Sequence, residues 1–419
     1  MNAFKEKYDM KKILLNIYMV ITFCMFLFIN INSTVFKDYL CFFIPGKVIK
    51  IHFFFSCVFF LLFVFFAQKV HFDRISICLL LKCFFDLLPL IYMKETSFSE
   101  YLEYWAITII SFISYFMFAN GEIDEKEENF YKKIFLSFGL LLVVQILITF
   151  FKTPVSYIDS QYKLYMNIPY AGSNVIAAIL VPMIILTYCE VKSGLRKIIL
   201  LTLFFVGVFL TKSRGGIILS VATIIFLILF INVRNKPVKR IFCLTICCFI
   251  LLTLIISQKN FLTDLFGFNN NEEIVWDKIF SGRLSELASL FNDYKIEYFI
   301  FGTGMRSVIG ENVVGAHNIM IDIFIKCGLV GTFLYGFVFI EFLRNGHKLN
   351  KFKTNAFYLM AICIYFNSLY EVCYFSYKCD AILWIIIGIV ISMNKKRKYE
   401  QSAKSLQWKE EERVGICIN

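Results

Sequence analysis

Charge is scarce in this chain: Asp, Glu, Lys and Arg make up 18% of 419 residues, whereas apolar residues make up 59%. Typical soluble domains carry about 25% charged residues. The mean hydropathy is +0.70, and the apolar residues fall in blocks of about twenty, the length of a helix that crosses a bilayer. The composition therefore excludes a water-soluble globule and predicts a membrane protein.

Alternation of polar and apolar residues is also missing. Residues 51–67, IHFFFSCVFFLLFVFFA, are apolar almost throughout, whereas the strands of a membrane barrel alternate between lumen and lipid. Because every backbone polar group in lipid needs an internal partner, a helical bundle remains. We predict an all-α polytopic membrane protein with about twelve transmembrane helices and one large external loop.

The patterns of metal, redox and export sites are lacking too. The fourteen cysteines form no C-x-x-C pair and lie mostly in apolar runs, as small core residues do. A disulfide between Cys373 and Cys379 stays a minor alternative. No external D-x-D pair is present, so nothing predicts a metal or another cofactor. No small-x-small cleavage site follows the first apolar run, which we interpret as a retained helix.

The predicted spans divide the chain into four regions. Residues 1–257 hold spans one to nine, and residues 317–393 hold spans ten to twelve. Residues 258–316 form the external loop, in which leucines at helical spacing behind Ser281 predict an amphipathic helix. Residues 394–419 form a basic tail, expected to be partly disordered. The predicted spans are 13–31, 48–67, 75–93, 101–119, 134–151, 171–189, 196–211, 215–233, 239–257, 317–341, 354–370 and 378–393.

The basic residues predict the orientation. The net charge of +12 comes from Lys and Arg at span ends, which is an orientation signal and no footprint of a nucleic-acid partner. Since cytoplasmic loops carry the excess of Lys and Arg, both termini are predicted to be cytoplasmic. The loops on that side carry Lys69, Arg74, Lys126, Lys132, Lys133, Lys192, Arg196, Lys197, Arg234, Lys236, Lys239, Arg240, Arg344, Lys348, Lys351 and Lys353, and Lys395, Lys396, Arg397 and Lys398 follow the last span.

One short loop departs from this rule. The segment TKSRGG after span seven puts Lys212 and Arg214 on the external side. One interpretation is that these side chains reach the lipid headgroups. The other is an external anion site, because Gly215 and Gly216 let the backbone turn and let a ligand approach the following helix.

Two pairs of opposite charges lie inside predicted spans. Lys82 and Asp86, and likewise Asp322 and Lys326, are four residues apart and so share a helix face. The simpler interpretation is that each pair neutralises itself and makes insertion tolerable. The alternative for Asp322 is a role in holding the neighbourhood of His317.

The remaining external polar residues suggest chemistry. Two or three arginines form a bidentate clamp for phosphate or pyrophosphate. A histidine at the head of a span is able to accept a proton near neutral pH, although a histidine alone is more simply an interfacial helix cap. An anion clamp beside a base suits the displacement of a phosphorylated leaving group. The residues are Arg214, Arg283, Arg306, His317 and Asn318.

At these residues the chain resembles the O-antigen ligase and O-antigen polymerase superfamily. The resemblance is carried by SRGG at 213–216, SGR at 281–283, FGTG at 301–304, and AHN at 316–318 running into IDIFIKCGLVG. It covers spans seven to ten and the external loop, whereas the first half of the chain matches only as hydrophobic helices.

The resemblance implies a bundle of the C-type glycosyltransferase kind in the bacterial cytoplasmic (inner) membrane. It implies metal-independent, inverting transfer of a glycan from polyprenyl pyrophosphate on the external side. By analogy Arg214 and Arg283 neutralise the pyrophosphate, and His317 is the general base on the acceptor hydroxyl. The further candidates for substrate binding are Lys212, Arg306 and Asn318.

Three functions follow as hypotheses. The first is a polymerase that joins lipid-linked repeat units into O-antigen, capsule or exopolysaccharide, with a chain-length regulator as a candidate partner. The second is a ligase that transfers finished glycan to lipid A-core. The third is a flippase or transporter of lipid-linked oligosaccharide. The absence of an internal repeat and the external position of the long loop argue against transport.

Overall fold

The computed structural model describes residues 2–29, 45–67, 69–91, 98–152, 173–192, 194–211, 213–227, 296, 298–304, 308–309, 312–313, 318–347, 355–368 and 380–416. Helices account for most of these residues, as the sequence predicts. A two-residue antiparallel hairpin is the exception, with β1 (Val308–Ile309) paired to β2 (Asn312–Val313). The helices are α1 (Asn2–Ile29), α2 (Pro45–Phe66), α3 (Arg74–Phe85), α4 (Phe98–Ala119), α5 (Glu125–Lys152), α6 (Ser173–Glu190), α7 (Gly194–Leu210), α8 (Arg214–Leu227), α9 (Tyr298–Phe301), α10 (Ile319–His347), α11 (Ala356–Asn367) and α12 (Asp380–Ile416).

By length and composition, four of the described helices are able to cross a membrane: Met10–Leu27, Ile49–Phe66, Glu125–Ile148 and Ile319–Gly346. Shorter apolar helices accompany them in α4, α6, α8 and α11. The class of a multi-pass helical membrane protein is therefore confirmed, and the number twelve stays a prediction. Predicted span 239–257 lies outside the described residues.

Contacts between helix ends fix how the helices run. The start of α5 meets the end of α6 through the Lys132–Glu190 ion pair, 2.9 Å long. Near the same end, Phe135 of α5 packs on Phe357 at the start of α11, with ring centroids 5.5 Å apart. Lys12 of α1 also contacts Glu127, in the first turn of α5, so we call it the ion-pair end. Consequently α6 begins, and α11 ends, at the opposite end of the bundle.

The ion-pair end joins the N-terminal helix to the loop before α5. Lys11 pairs with Glu122 at 3.0 Å, and Lys12 pairs with Asp124 at 2.9 Å. Asp124 accepts the Glu127 N–H at 2.9 Å while Glu127 accepts the Asp124 N–H at 2.6 Å, a reciprocal helix cap. The acidic residues just before α5 thus bind the lysines of α1.

The cap changes the acidity of Asp124. Partial burial by itself raises the pKa, but the Glu127 N–H and the Lys12 ammonium favour the charged carboxylate and outweigh burial. The pKa of Asp124 is lowered from 3.8 to about 2.

Three predicted elements differ in the structure. Predicted span 75–93 contains a helix of only 12 residues, about 18 Å long and too short for a bilayer core of about 30 Å. A short 3-10 helix, Leu88–Ile91, follows it. Predicted span 317–341 is interrupted at Gly328, whose φ of 61° and ψ of −158° are not helical. The tail, expected to be partly disordered, continues α12 as helix to Ile416.

Candidate functional site

Four of the six predicted site residues, Lys212, Arg283, Arg306 and His317, lie outside the described residues. The predicted loop helix behind Ser281 lies outside them as well. Arg214 is the first residue of α8, and Asn318 directly precedes α10. The site is therefore built from the two helices that these residues introduce.

The SRGG motif forms the start of α8. Ser213 caps the helix: its Oγ accepts the Gly216 N–H at 3.2 Å, and its carbonyl accepts the Ile217 N–H at 2.9 Å. A Cβ on Gly216 would lie 2.5 Å from Cβ of Ala177, near the start of α6. Gly216 is thus needed for close packing of α8 on α6, and the two helices begin at the same end of the bundle.

Asn318 forms the cap of α10. Its Oδ1 accepts the Met320 N–H at 2.9 Å, so its carbonyl oxygen satisfies a backbone donor that the first helical turn leaves open. The Ile319 N–H binds the carbonyl of Ser368, directly after α11, at 3.0 Å. The start of α10 and the end of α11 are therefore joined.

These contacts place the starts of α8 and α10 at one end of the bundle. The α6 helix begins at the end opposite the ion-pair end, and α8 begins beside the start of α6. The α11 helix ends at that same opposite end, and α10 begins beside the end of α11. We call this the site end. The backbone of Arg214 and the cap residue Asn318 both lie there, as the predicted topology requires.

The FGTG motif forms a buried turn, residues 302–304, which we call the GTG turn. The Thr303 N–H binds the Ile325 carbonyl at 2.7 Å, and the Gly304 N–H binds the Lys326 carbonyl at 2.9 Å. These carbonyls precede the break at Gly328, where the regular helical donors are lost. The GTG turn therefore completes the end of the first segment of α10.

Only glycine fits this contact. Gly302 has a φ of 77°, and a Cβ there would lie 2.3 Å from the carbonyl carbon and oxygen of Lys326. A Cβ on Gly328 would lie 2.4 Å from the carbonyl oxygen of Ile300, at the other side of the contact. Thr303 is fully buried. The turn, expected on the external surface, instead lies inside the bundle, about 10 Å along α10 from its start.

The two charge pairs lie beside the break in α10. Lys82 binds Asp86 at 2.6 Å, and Lys326 binds Asp322 at 2.8 Å. Both carboxylates and both ammonium groups are buried. The pairs neutralise themselves as the simpler interpretation holds, but Asp86 also accepts a hydrogen bond from Cys327 Sγ at 3.6 Å, so it contacts the α10 break.

Metal ligation finds no support in the described part of the chain: none of its His, Cys, Asp and Glu side chains form a group of three or more able to hold an ion. The described geometry offers a positioned helix start at Arg214 and a capped helix start after His317. The GTG turn supports the second helix through its bonds to the Ile325 and Lys326 carbonyls.

A polytopic helical membrane protein, with the starts of α8 and α10 at one end of its bundle, is the class that the fold defines. Residues 199–336 match the family model described as O-antigen ligase. The match covers about a third of the chain and includes all four motifs quoted above. It confirms the resemblance to the O-antigen ligase and polymerase superfamily, whose members are glycosyltransferase-like enzymes. A search of curated proteins finds no match.

Sequence reasoning missed part of the arrangement. The sequence assigns residues 302–304 to the external loop and does not predict that they insert between α3, α4 and α10. The signal was a glycine inside a predicted span, Gly328, because an isolated glycine there often permits close backbone approach. Asp86 was recognised only as half of an ion pair.

Proposed function

We propose that this protein is a polymerase that joins polyprenyl-pyrophosphate-linked oligosaccharide repeat units into O-antigen, capsule or exopolysaccharide. The observation that carries the proposal is the common origin of α8 and α10 at the site end of the bundle. Helix α8 begins with Arg214, and α10 follows His317 and Asn318. An anion-binding cation and a base at helix starts on the same end of the bundle are what this transfer needs.

In the proposed reaction the acceptor hydroxyl attacks the anomeric carbon of the donor glycan. His317 takes the hydroxyl proton, the new bond from oxygen to carbon forms, and the bond from that carbon to the pyrophosphate oxygen breaks with inversion. Arg214 and Arg283 neutralise the departing pyrophosphate. Lys212, Arg306 and Asn318 are proposed to bind substrate. The Oδ1 of Asn318 caps α10, and the residue is proposed to contribute to substrate binding because it follows the base in the chain.

The proposal includes an orientation. Both termini lie in the cytoplasm and the site end faces outward, in the inner membrane of a bacterium. The regions 1–257, 258–316, 317–393 and 394–419 serve as first bundle, external loop, second bundle and cytoplasmic tail. A regulator of chain length is a candidate partner.

A ligase is the second candidate, because the matching family model is described as O-antigen ligase. Deletion of the gene, followed by separation of surface glycan on a gel, distinguishes the two. Loss of polymer with a single repeat unit still attached to the core supports a polymerase. Loss of all attached glycan, with lipid-linked polymer accumulating, supports a ligase and overturns the polymerase.

The site is tested by His317→Ala and Arg214→Ala. We expect each variant to abolish polymer while lipid-linked units accumulate on the outer face. His71→Ala and Arg196→Ala are matched controls, because both side chains are exposed and lie outside the proposed site. Units retained on the cytoplasmic face would support transport instead. Normal polymer in His317→Ala would exclude this histidine as the base.

A further inference from the structure

One carboxylate, Asp86, connects the elements that surround the GTG turn. It follows α3, and its Oδ2 accepts hydrogen bonds from Lys82 Nζ at 2.6 Å and from Thr108 Oγ1 of α4 at 2.9 Å. Its Oδ1 accepts one from Cys327 Sγ at 3.6 Å. Because Cys327 directly precedes Gly328, Asp86 ties α3 and α4 to the α10 break.

The backbone of Asp86 takes part in the same contact. Its carbonyl accepts a hydrogen bond from the Tyr101 hydroxyl. The Tyr101 ring in turn covers Gly304, where an added Cβ would lie 2.9 Å from the ring. Asp86 is 3% exposed. The ion pair alone would be enough to neutralise Lys82. The contacts of Asp86 with Thr108, Cys327 and Tyr101 therefore indicate a second role for this residue.

That role concerns the first segment of α10, residues 319–327. Its lower end is fixed by the bonds from Thr303 and Gly304 to its last carbonyls, and its upper end by the bond from Ile319 to Ser368. The segment is about 13 Å long. A rigid helical segment transmits a tilt at its lower end to its head, where Asn318 stands beside His317.

We propose that Asp86 is a positioning residue for glycosyl transfer. By holding the α10 break against α3, α4 and the GTG turn, it sets the orientation of the helix start that follows the base. The proposal rests on the proposed function, because it takes His317 as the base. Asp86 itself does not touch substrate.

The test compares three proteins purified in detergent: wild type, Asp86→Asn, and the double variant Lys82→Met with Asp86→Asn. The single variant leaves a buried lysine without its counter-ion, which destabilises a protein strongly. The double variant removes both charges together. A control replaces the remote pair at the ion-pair end, Lys11→Met with Glu122→Gln. Transfer from a lipid-linked oligosaccharide gives kcat and KM, and hydrogen exchange follows the amides of residues 298–304 and 319–327.

For the double variant we expect wild-type amounts in the membrane and an unchanged KM. We expect kcat to fall about 10- to 100-fold, the size of effect that a small misplacement of a catalytic group produces. Exchange at Thr303, Gly304 and residues 319–327 should rise. The control should keep wild-type kcat and wild-type exchange in these peptides. A purely structural role would lower the amount of folded protein and leave kcat of the folded fraction unchanged.

Wild-type kcat in the double variant, or unchanged exchange at residues 319–327, overturns the positioning role. If the double variant does not accumulate, Thr108→Val decides in the same assays, since it removes one hydrogen bond to Asp86 and keeps both charges. If wild-type protein transfers no glycan, the proposed function fails. The exchange measurement then still decides whether Asp86 holds the start of α10.

Discussion

Replacing Gly302 by alanine tests the buried position of the GTG turn. The residue has a left-handed φ of 77°, and its new Cβ would lie 2.3 Å from the carbonyl of Lys326. That carbonyl has little freedom to move away, because it accepts the Gly304 N–H at 2.9 Å. The substitution therefore strains the turn and separates it from α10.

The magnitude follows from two contributions. Left-handed backbone costs an L-residue about 1–2 kcal/mol, and an extra methyl group in a packed interior costs about 1–3 kcal/mol. We expect Gly302→Ala to lose about 2–5 kcal/mol of stability. Gly336→Ala in α10 is the matched control, because nothing lies within 4 Å of its added Cβ. There, alanine should gain up to about 1 kcal/mol from its higher helix propensity.

The assay is thermal unfolding of the purified variants in detergent. The fraction of protein that stays monodisperse is measured as the temperature rises, and its midpoint is compared between variants. The midpoint should fall for Gly302→Ala and hold or rise for Gly336→Ala. Equal midpoints for Gly302→Ala and wild type would refute the buried turn, because a methyl group that met the Lys326 carbonyl would have to lower the midpoint.

Three further outcomes are expected. Arg283→Lys keeps a cation but loses the planar fork, so polymer formation should fall substantially; wild-type activity would make Arg283 a surface residue of the loop. Transfer activity should survive EDTA; loss that a divalent ion restores would contradict the metal-free reaction. Because the pKa of Asp124 is lowered to about 2, its contribution to stability is present above pH 4 and is lost as the pH falls towards 2. Asp124→Asn should lower the unfolding midpoint at pH 7, and the midpoint of the variant should depend less on pH between pH 4 and 2. Glu125→Gln, at an exposed residue, is the control.

The sequence predicts the class of fold because the bilayer restricts it. Apolar blocks of about twenty residues must be helices in lipid, and α1, α2 and α5 lie where those blocks are. The same rule fails for α3, because hydropathy reports the length of an apolar run and not where its helix ends. The run at 75–93 contains Asp86 and Pro89, and the helix ends at Phe85.

The candidate site shows a similar division. Motifs and topology predict that Arg214 and His317 belong to one side of the membrane. The structure places the starts of α8 and α10 at one end of the bundle. The depth of the GTG turn was not predictable. Its hydrogen bonds join residues more than twenty positions apart, and no local pattern encodes such a pairing.

The break in α10 gives those distant contacts a physical reason. The carbonyls of an uninterrupted helix would be bound within the helix, and the N–H groups of Thr303 and Gly304 would have no acceptors there. A broken helix exposes carbonyls that lipid is unable to satisfy, so the break and the turn stabilise each other. The turn thereby anchors the end of the described segment 298–304 inside the bundle. The first segment of α10, which Asn318 precedes, is therefore held at both ends, by the GTG turn and by the carbonyl of Ser368, and a positioned catalytic group needs a rigid support of this kind.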